Sequence, residues 1–308
     1  MTLPNYLVIT PPKCASTWIY LCLKEHPEVY VPPLKELHFF DNNYRHGLDW
    51  YKRYFISCKG QKAVAEVSTG YFRSPEAPLR IQKDLGKVRF ITCLRNPIDR
   101  AYSRYKHHYR KRAISCDFGT ALTRLPELLI DRGLYFGPLK RYVGLFGLEN
   151  ILVLIFEELQ EDSPTQLRQI YRFLGVDENF TPNIVAQKVV TEEWYNPAHS
   201  SFRKIFGKIS GFLRRNPQWG RLADQVEKSR LFPAVDSFFA RFGHSSKRPN
   251  VSPVQNVPPM KPEDRAYLRE KYYPEIEALE RLLDVDLSSW RKKEALKVKN
   301  NHHEEQIL

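Results

Sequence analysis

Short, nearly unbroken apolar runs recur along the first half of the chain: YLVIT at 6–10, KAVAEV at 62–67, VRFITCL at 88–94 and NILVLIF at 150–156. Runs of this length without polar alternation predict strands covered on both faces, as in a parallel sheet. The spacing turns helical over 16–26, 97–112, 118–130, 135–146 and 164–175. Strands and helices alternating in this way predict an α/β fold, a central parallel β-sheet flanked by helices on both faces. There is no internal repeat.

From 181 to 260 the pattern loosens into Pro, Asn, Ser and aromatics, apart from SFRKIFGKISGFLRR, in which Phe202, Ile205, Phe206, Ile209, Phe212 and Leu213 share a face opposite a basic one. That piece reads as a cover for the core, with a lid over an acidic substrate or a membrane-surface helix as alternatives. KPEDRAYLREKYYPEIEALERLLDVDLSSW then predicts a helix interrupted at Pro274, followed by a polar tail over 291–308. The expectation is one domain over 1–290, with 181–260 as an insertion at the acceptor site or lid.

Composition narrows the function classes. With 308 residues and 42% hydrophobic content the chain can bury a core without staples. Cys14, Cys22, Cys58, Cys93 and Cys116 show neither CxxC nor Cys/His spacing, which argues against a zinc site and a disulfide framework and fits a reducing compartment. No apolar run reaches the length of a membrane span, and residues 1–5 lead into the first strand without a basic-then-apolar leader, so a soluble, cytoplasmic protein is expected. The 48 Lys+Arg against 35 Asp+Glu, a net +13, favour phosphorylated ligands, polyanions or anionic surfaces. No DNA- or RNA-binding module signature appears, and no nucleic acid partner is expected.

Two strand-to-helix junctions carry candidate chemistry. In YLVITPPKCASTW the small residues Cys14, Ala15 and Ser16 let the backbone approach a ligand, Lys13 supplies a mobile cation, and Ser16 and Thr17 add hydroxyl donors. Unpaired amides and partial positive charge at a helix N-terminus make such a junction suited to phosphate. Its spacing is not GxxxxGK[ST], because two small residues separate Lys13 from Ser16. In VRFITCLRNPIDRAYSRY a strand ends at Leu94, Arg95 follows, and Pro97 opens a helix bearing Ser103, so Arg95 and Ser103 are candidates for a second phosphate. Arg100, Arg104 and Lys106 on that helix read as solvated.

PPKCASTW resembles the 5′-phosphosulfate loop, and LRNPIDRAYSRY the 3′-phosphate motif, of sulfotransferases that use 3′-phosphoadenosine 5′-phosphosulfate (PAPS). HPEVYVPPLKELHFFD with YRHGLDWYKRYF is similar to the carbohydrate and heparan-type branch, and the likeness covers most of 4–290, most weakly over 181–245. The resemblance implies a P-loop-like fold and sulfuryl transfer to a hydroxyl or amine of a small metabolite or carbohydrate, with adenosine 3′,5′-bisphosphate as the product and no metal. It implies that Lys13 contacts the transferred group, that Cys14 to Thr17 hold the 5′-phosphate, and that Arg95 and Ser103 hold the 3′-phosphate. Trp18 matches an adenine-stacking position or is a core residue. Lys247 and Arg248 resemble a late basic loop over the nucleotide.

Glu36 matches the base of the heparan-type branch, consistent with an attacking hydroxyl's need for a positioned carboxylate. Glu36 as an ion-pair partner of Lys35 or Arg45 is the alternative, and His38 is the reserve base, on the same side as Glu36 if the stretch is extended. Asp41, Ser68 and Tyr71 are candidates to orient the base or to contact donor or acceptor. Three departures stand out. Ala15 replaces the loop's usual glycine, Val67 replaces a lysine of the heparan-type enzymes, and the cytosolic branch's GDWKN-like segment is absent. The competing functions are a Mg²⁺-dependent P-loop kinase or nucleoside-triphosphatase, with Glu157 or Glu158 as the acidic residue, and a non-catalytic module binding anionic polysaccharide.

Overall fold

The computed structural model describes residues 2–186 and 256–291. The amphipathic piece at 201–215, Lys247 and Arg248 lie outside the described residues. The strands β1 (Tyr6–Val8), β2 (Val29–Tyr30), β3 (Ala63–Val67), β4 (Arg89–Leu94) and β5 (Ile151–Ile155) form one sheet in the order β2-β3-β1-β4-β5. All its pairings are parallel, with Val8 opposite both Val67 and Ile91.

Side chains of each strand alternate between two cores. Leu7, Ile9, Val64, Phe90 and Leu94 join one apolar cluster, and Tyr6, Val8, Ala65, Val67, Ile91 and Cys93 join the other. The first cluster is closed by α2 (Leu48–Lys52), α3 (Ala77–Leu85), α4 (Pro97–Arg110), α5 (Phe118–Arg124), α6 (Pro126–Leu129), α7 (Phe136–Phe146) and α10 (Pro262–Leu283), with Trp290 of α11 (Ser288–Arg291). The second is closed by α1 (Ser16–Glu25), α8 (Phe156–Glu161) and α9 (Ser163–Leu174). This is the expected helix–sheet–helix arrangement.

Several boundaries differ from the sequence reading, each for a local reason. The helix expected over 118–130 is divided at Leu125 because Pro126 opens a new helix. The helix expected to break at Pro274 instead runs through it. Leu268 and Tyr272 before the proline, and Ile276, Leu279 and Leu283 after it, are buried in the same cluster. At roughly 1.5–3 kcal/mol per buried side chain these contacts outweigh the ~3 kcal/mol that an interior proline costs.

The chain runs from β1 to one side of the sheet, through β2 and β3, and then crosses to β4 and β5 on the other. A crevice therefore opens beyond the carboxyl ends of the strands around β1, where doubly wound sheets bind ligands.

Candidate active site

The loop after β1 is stitched to its neighbours before it turns. The Cys93 amide donates to Thr10 Oγ1 at 3.0 Å, and the Ile9 amide to the Ile91 carbonyl at 2.9 Å. Prolines 11 and 12 end the ladder, and Lys13 and Ala15 then take positive φ values of 75° and 63°. For residues with a side chain that conformation costs roughly 1–2 kcal/mol each. Ala15 is the N-cap of α1 and offers no side-chain acceptor, so the first-turn amides are left to an external partner. Cys14 is buried, its Sγ 4.0 Å from the Tyr135 hydroxyl, and burial pushes its thiol up to about 12, so it stays neutral. Ser16 is buried and Thr17 half-buried in the first turn. Trp18 is 4% exposed and packs in the second cluster, the core alternative for that residue.

Arg95, at the end of β4, meets this loop. Its Nη1 donates to the Lys13 carbonyl at 3.3 Å, its guanidinium lies 4.3 Å from the Phe156 ring centroid, and its own carbonyl accepts from the Tyr135 hydroxyl at 3.0 Å. Arg95 Nε is buried without a protein partner. Asn96 caps α4 by accepting from the Ile98 amide, with Pro97 in the first turn as expected. Ser103 follows on α4, 8% exposed. Arg100 is not solvated: it is fully buried and donates to the Leu129 carbonyl. Burial and the charges of Lys111, Lys13 and Arg104 push His107 down to about 3, and similar surroundings push His108 down to about 4. Both imidazoles stay neutral in a concentrated positive field.

The segment leaving β3 cradles the 36–41 loop residue by residue. Glu36 and His38 are not extended; both adopt positive φ, 63° and 52°. The Glu36 amide donates to the Val67 carbonyl at 2.9 Å, and the Thr69 amide and hydroxyl donate to Glu36 Oε2 at 2.8 and 3.0 Å. Lys35 Nζ lies 2.8 Å from Glu36 Oε1 and 3.1 Å from Ser16 Oγ. His38 Nε2 lies 3.4 Å from Glu36 Oε2, and its Nδ1 2.9 Å from Asp41 Oδ2. A Cβ on Gly70 would strike the Asp41 carboxylate and the His38 ring, so a glycine there leaves room for the pair.

Burial alone would push Glu36 up, but Lys35, His38 and the Thr69 amide hold its carboxyl below the usual range. Burial alone would push His38 down, but Asp41 and Glu36 raise it overall. The arrangement is a carboxylate held between the Lys35 ammonium and the His38 imidazole, with a third group, Asp41, orienting the imidazole.

Ser68 and Tyr71, expected to contact donor or acceptor, are fully buried. Their hydroxyls donate to Glu66 Oε1 at 2.6 and 2.8 Å and accept from the amides of His38 and Phe39 at 3.2 and 2.7 Å. Tyr51 donates to the other oxygen of Glu66 at 2.5 Å. Glu66, 1% exposed, is thus the hub that holds the strained loop, and burial raises its carboxyl to about 7. Lys35 in its bridging role, Glu66, Thr69 and Gly70 were not singled out from the sequence. An acid inside the apolar run KAVAEV, followed by Ser68, Thr69 and Tyr71, is the signal that could have found them.

Glu157 spends both oxygens on the protein, accepting from the Asn96 amide at 3.0 Å and from Trp290 Nε1 at 3.1 Å. No group of acids, histidines and cysteines with metal-binding geometry occurs among the described residues. No helix among them is long and apolar enough to cross a membrane.

Residues 3–204 match the family described as "Sulfotransferase domain". The bifunctional heparan sulfate N-deacetylase/N-sulfotransferase 4 of Mus musculus is 29% identical over 96% of this chain and 32% of its own length. The corresponding enzyme 3 of Homo sapiens is 32% identical over 56% of this chain and 22% of its own. The chain thus spans about a third or less of these curated relatives. A sulfotransferase from Alicyclobacillus acidocaldarius has the same fold, with a TM-score of 0.67 at 24% identity over 95% of this chain and 100% of that one. The family match covers the loop after β1, the cradle after β3 and the start of α4 together, and the chain belongs to the sulfotransferase domain family.

Proposed function

We propose that the protein transfers a sulfuryl group from PAPS to a hydroxyl or amine of a small metabolite or carbohydrate by in-line displacement, with Glu36 as the base. The observation that carries this reading is the meeting of three segments at one end of the sheet. Arg95 bonds the Lys13 carbonyl, and Lys35 joins Ser16 of the same loop to Glu36. The residues present fit an anionic nucleotide: first-turn amides of α1 without a side-chain cap, a buried Arg95 Nε without a protein partner, and cations at Lys13, Arg104 and Lys111 that, together with burial, lower His107 and His108.

Bound there, PAPS supplies the transferable sulfuryl group and a phosphate leaving group. The loop from Lys13 to Thr17 holds the 5′ end, with Lys13 countering charge on the departing phosphate. Arg95 and Ser103 hold the 3′-phosphate. Glu36 takes the acceptor's proton as the acceptor–sulfur bond forms and the sulfur–oxygen bond to the 5′-phosphate breaks. His38, held by Asp41, keeps Glu36 in place.

The names of the mouse and human relatives include N-sulfation of heparan sulfate. An amine on an anionic glycan is therefore the first acceptor to test, beside small hydroxylated metabolites, and the net +13 suits the glycan. We place the protein in the cytoplasm. The kinase reading is less favoured because each Glu157 oxygen already accepts an N–H donor of the fold, from Asn96 and from Trp290. Calorimetry with adenosine 3′,5′-bisphosphate, followed by labelled donor with fractionated acceptor pools, tests the proposal. Absence of binding to the bisphosphate removes it.

A further inference from the structure

Where the heparan-type enzymes have a lysine, this chain has Val67, 2% exposed, whose carbonyl accepts the Glu36 amide at 2.9 Å. A cation nevertheless reaches the neighbourhood from Lys35. Lys35 Nζ stands between Ser16 Oγ of the donor loop, at 3.1 Å, and Glu36 Oε1, at 2.8 Å, with its side chain 19% exposed. We infer that Lys35 is the second cation of the transfer, released from Glu36 as that residue is protonated and left to stabilise charge at the donor loop. The inference rests on the sulfotransferase reading above.

Before transfer, Lys35 and Glu36 form a neutral pair beside Ser16. As the acceptor–sulfur bond forms, the acceptor's proton moves to Glu36, whose charge disappears while that of Lys35 persists. In the same step the sulfur–oxygen bond to the 5′-phosphate breaks and its electron pair stays on the departing phosphate. The positive charge at the loop is thus uncompensated only when negative charge arrives, and an interaction stronger in the transition state than in the ground state is the kind that raises turnover. Afterwards Glu36 returns its proton to solvent and the pair re-forms.

The test uses Lys35→Met and Lys35→Arg, with turnover followed against pH and adenosine 3′,5′-bisphosphate affinity measured by calorimetry. Lys35→Met is expected to lower turnover about 10²–10³-fold and to move the acid limb upward, because Glu36 loses the cation that favours its ionised form. Affinity for the bisphosphate, which binds while Glu36 is ionised and Lys35 still paired with it, stays within about threefold, and Lys35→Arg recovers turnover by about tenfold or more. Turnover of Lys35→Met within about threefold of the parent, an unmoved acid limb, or bisphosphate binding lost in step with turnover overturns the inference. Failure of the unsubstituted protein to bind the bisphosphate overturns the sulfotransferase reading itself.

Discussion

Arg95 donates from Nη1 to the main-chain oxygen of Lys13 at 3.3 Å, so the loop after β1 is tied to the residue that follows β4 at the same end of the sheet. Their tasks separate on substitution. Lys13→Ala is expected to lower turnover by about 10³-fold. Arg95→Ala is expected to weaken bisphosphate binding as well, since the guanidinium supports the loop backbone. Arg95→Lys should not restore binding, because an ammonium cannot reproduce a planar fork resting on the Phe156 ring. Calorimetry beside single-turnover assays distinguishes the two residues, and equal binding losses for both would contradict the division.

Glu36 and His38 are shifted in opposite directions, which makes the identity of the base readable from pH. Glu36 lies below its ordinary 4.5, so as the base it stays ionised to low pH, and the acid limb of kcat/KM falls below that value. His38 lies above its ordinary 6.5, so as the base it would act only after losing its proton, with a limb above 6.5. The expected outcome is the low limb, together with a loss of about 10²–10⁴-fold in Glu36→Gln and retained bisphosphate binding. A limb above 6.5 would transfer the role to His38.

The sequence made the sheet legible because β1, β3 and β4 are buried on both faces and β5 largely so, and all four read as apolar runs. β2 is only Val29–Tyr30, too short for any periodicity, and α3 begins amid the prolines of SPEAPLR. Lys13, Glu36 and Arg95 could be picked out because each lies in a local motif. Glu66, Thr69 and the bridging role of Lys35 could not, since their chemistry arises when the exit of β3 folds against the 36–41 loop. The same juxtaposition turned Ser68 and Tyr71 from expected ligand contacts into supports for that loop.

Glu66 gives a stability signature of unusual sign. Its carboxyl is raised from 4.5 to about 7 by burial, so the folded protein binds a proton that the unfolded chain has released. Stability from this group is full below the unfolded value and is lost as pH rises through about 7. Glu66→Gln has no such titration. The advantage of the parent over Glu66→Gln in urea midpoint should therefore shrink between about pH 5 and about pH 8. A gap that stays level across that range would show that Glu66 is ionised throughout it.

Gly70 tests the His38–Asp41 pair without removing either residue. A Cβ at this position would stand 2.8 Å from His38 Nδ1 and collide with the Asp41 carboxylate. Gly70→Ala is expected to lower turnover by up to about 10²-fold, the cost of an ångström-scale misplacement. Asp41→Asn should give a similar loss. Normal turnover in Gly70→Ala would mean that the pair does not orient Glu36.

Glu157 decides between sulfuryl and metal-assisted phosphoryl transfer. A carboxylate that carries Mg²⁺ must present oxygen lone pairs to the ion. The Glu157 oxygens instead accept the Asn96 amide and the Trp290 indole N–H, joining the start of α4 to α11. Burial also raises this carboxyl, disfavouring its ionised form. Glu157→Gln is therefore expected to lower the unfolding midpoint, by about 1–3 kcal/mol of lost hydrogen bonding, while turnover per folded molecule changes by less than about tenfold. Excess EDTA should leave turnover with PAPS unchanged. Collapse of turnover in EDTA, with ATP displacing adenosine 3′,5′-bisphosphate, would reinstate the kinase reading, because Lys13 and the α1 amides would then be insufficient for the charge at the reacting centre.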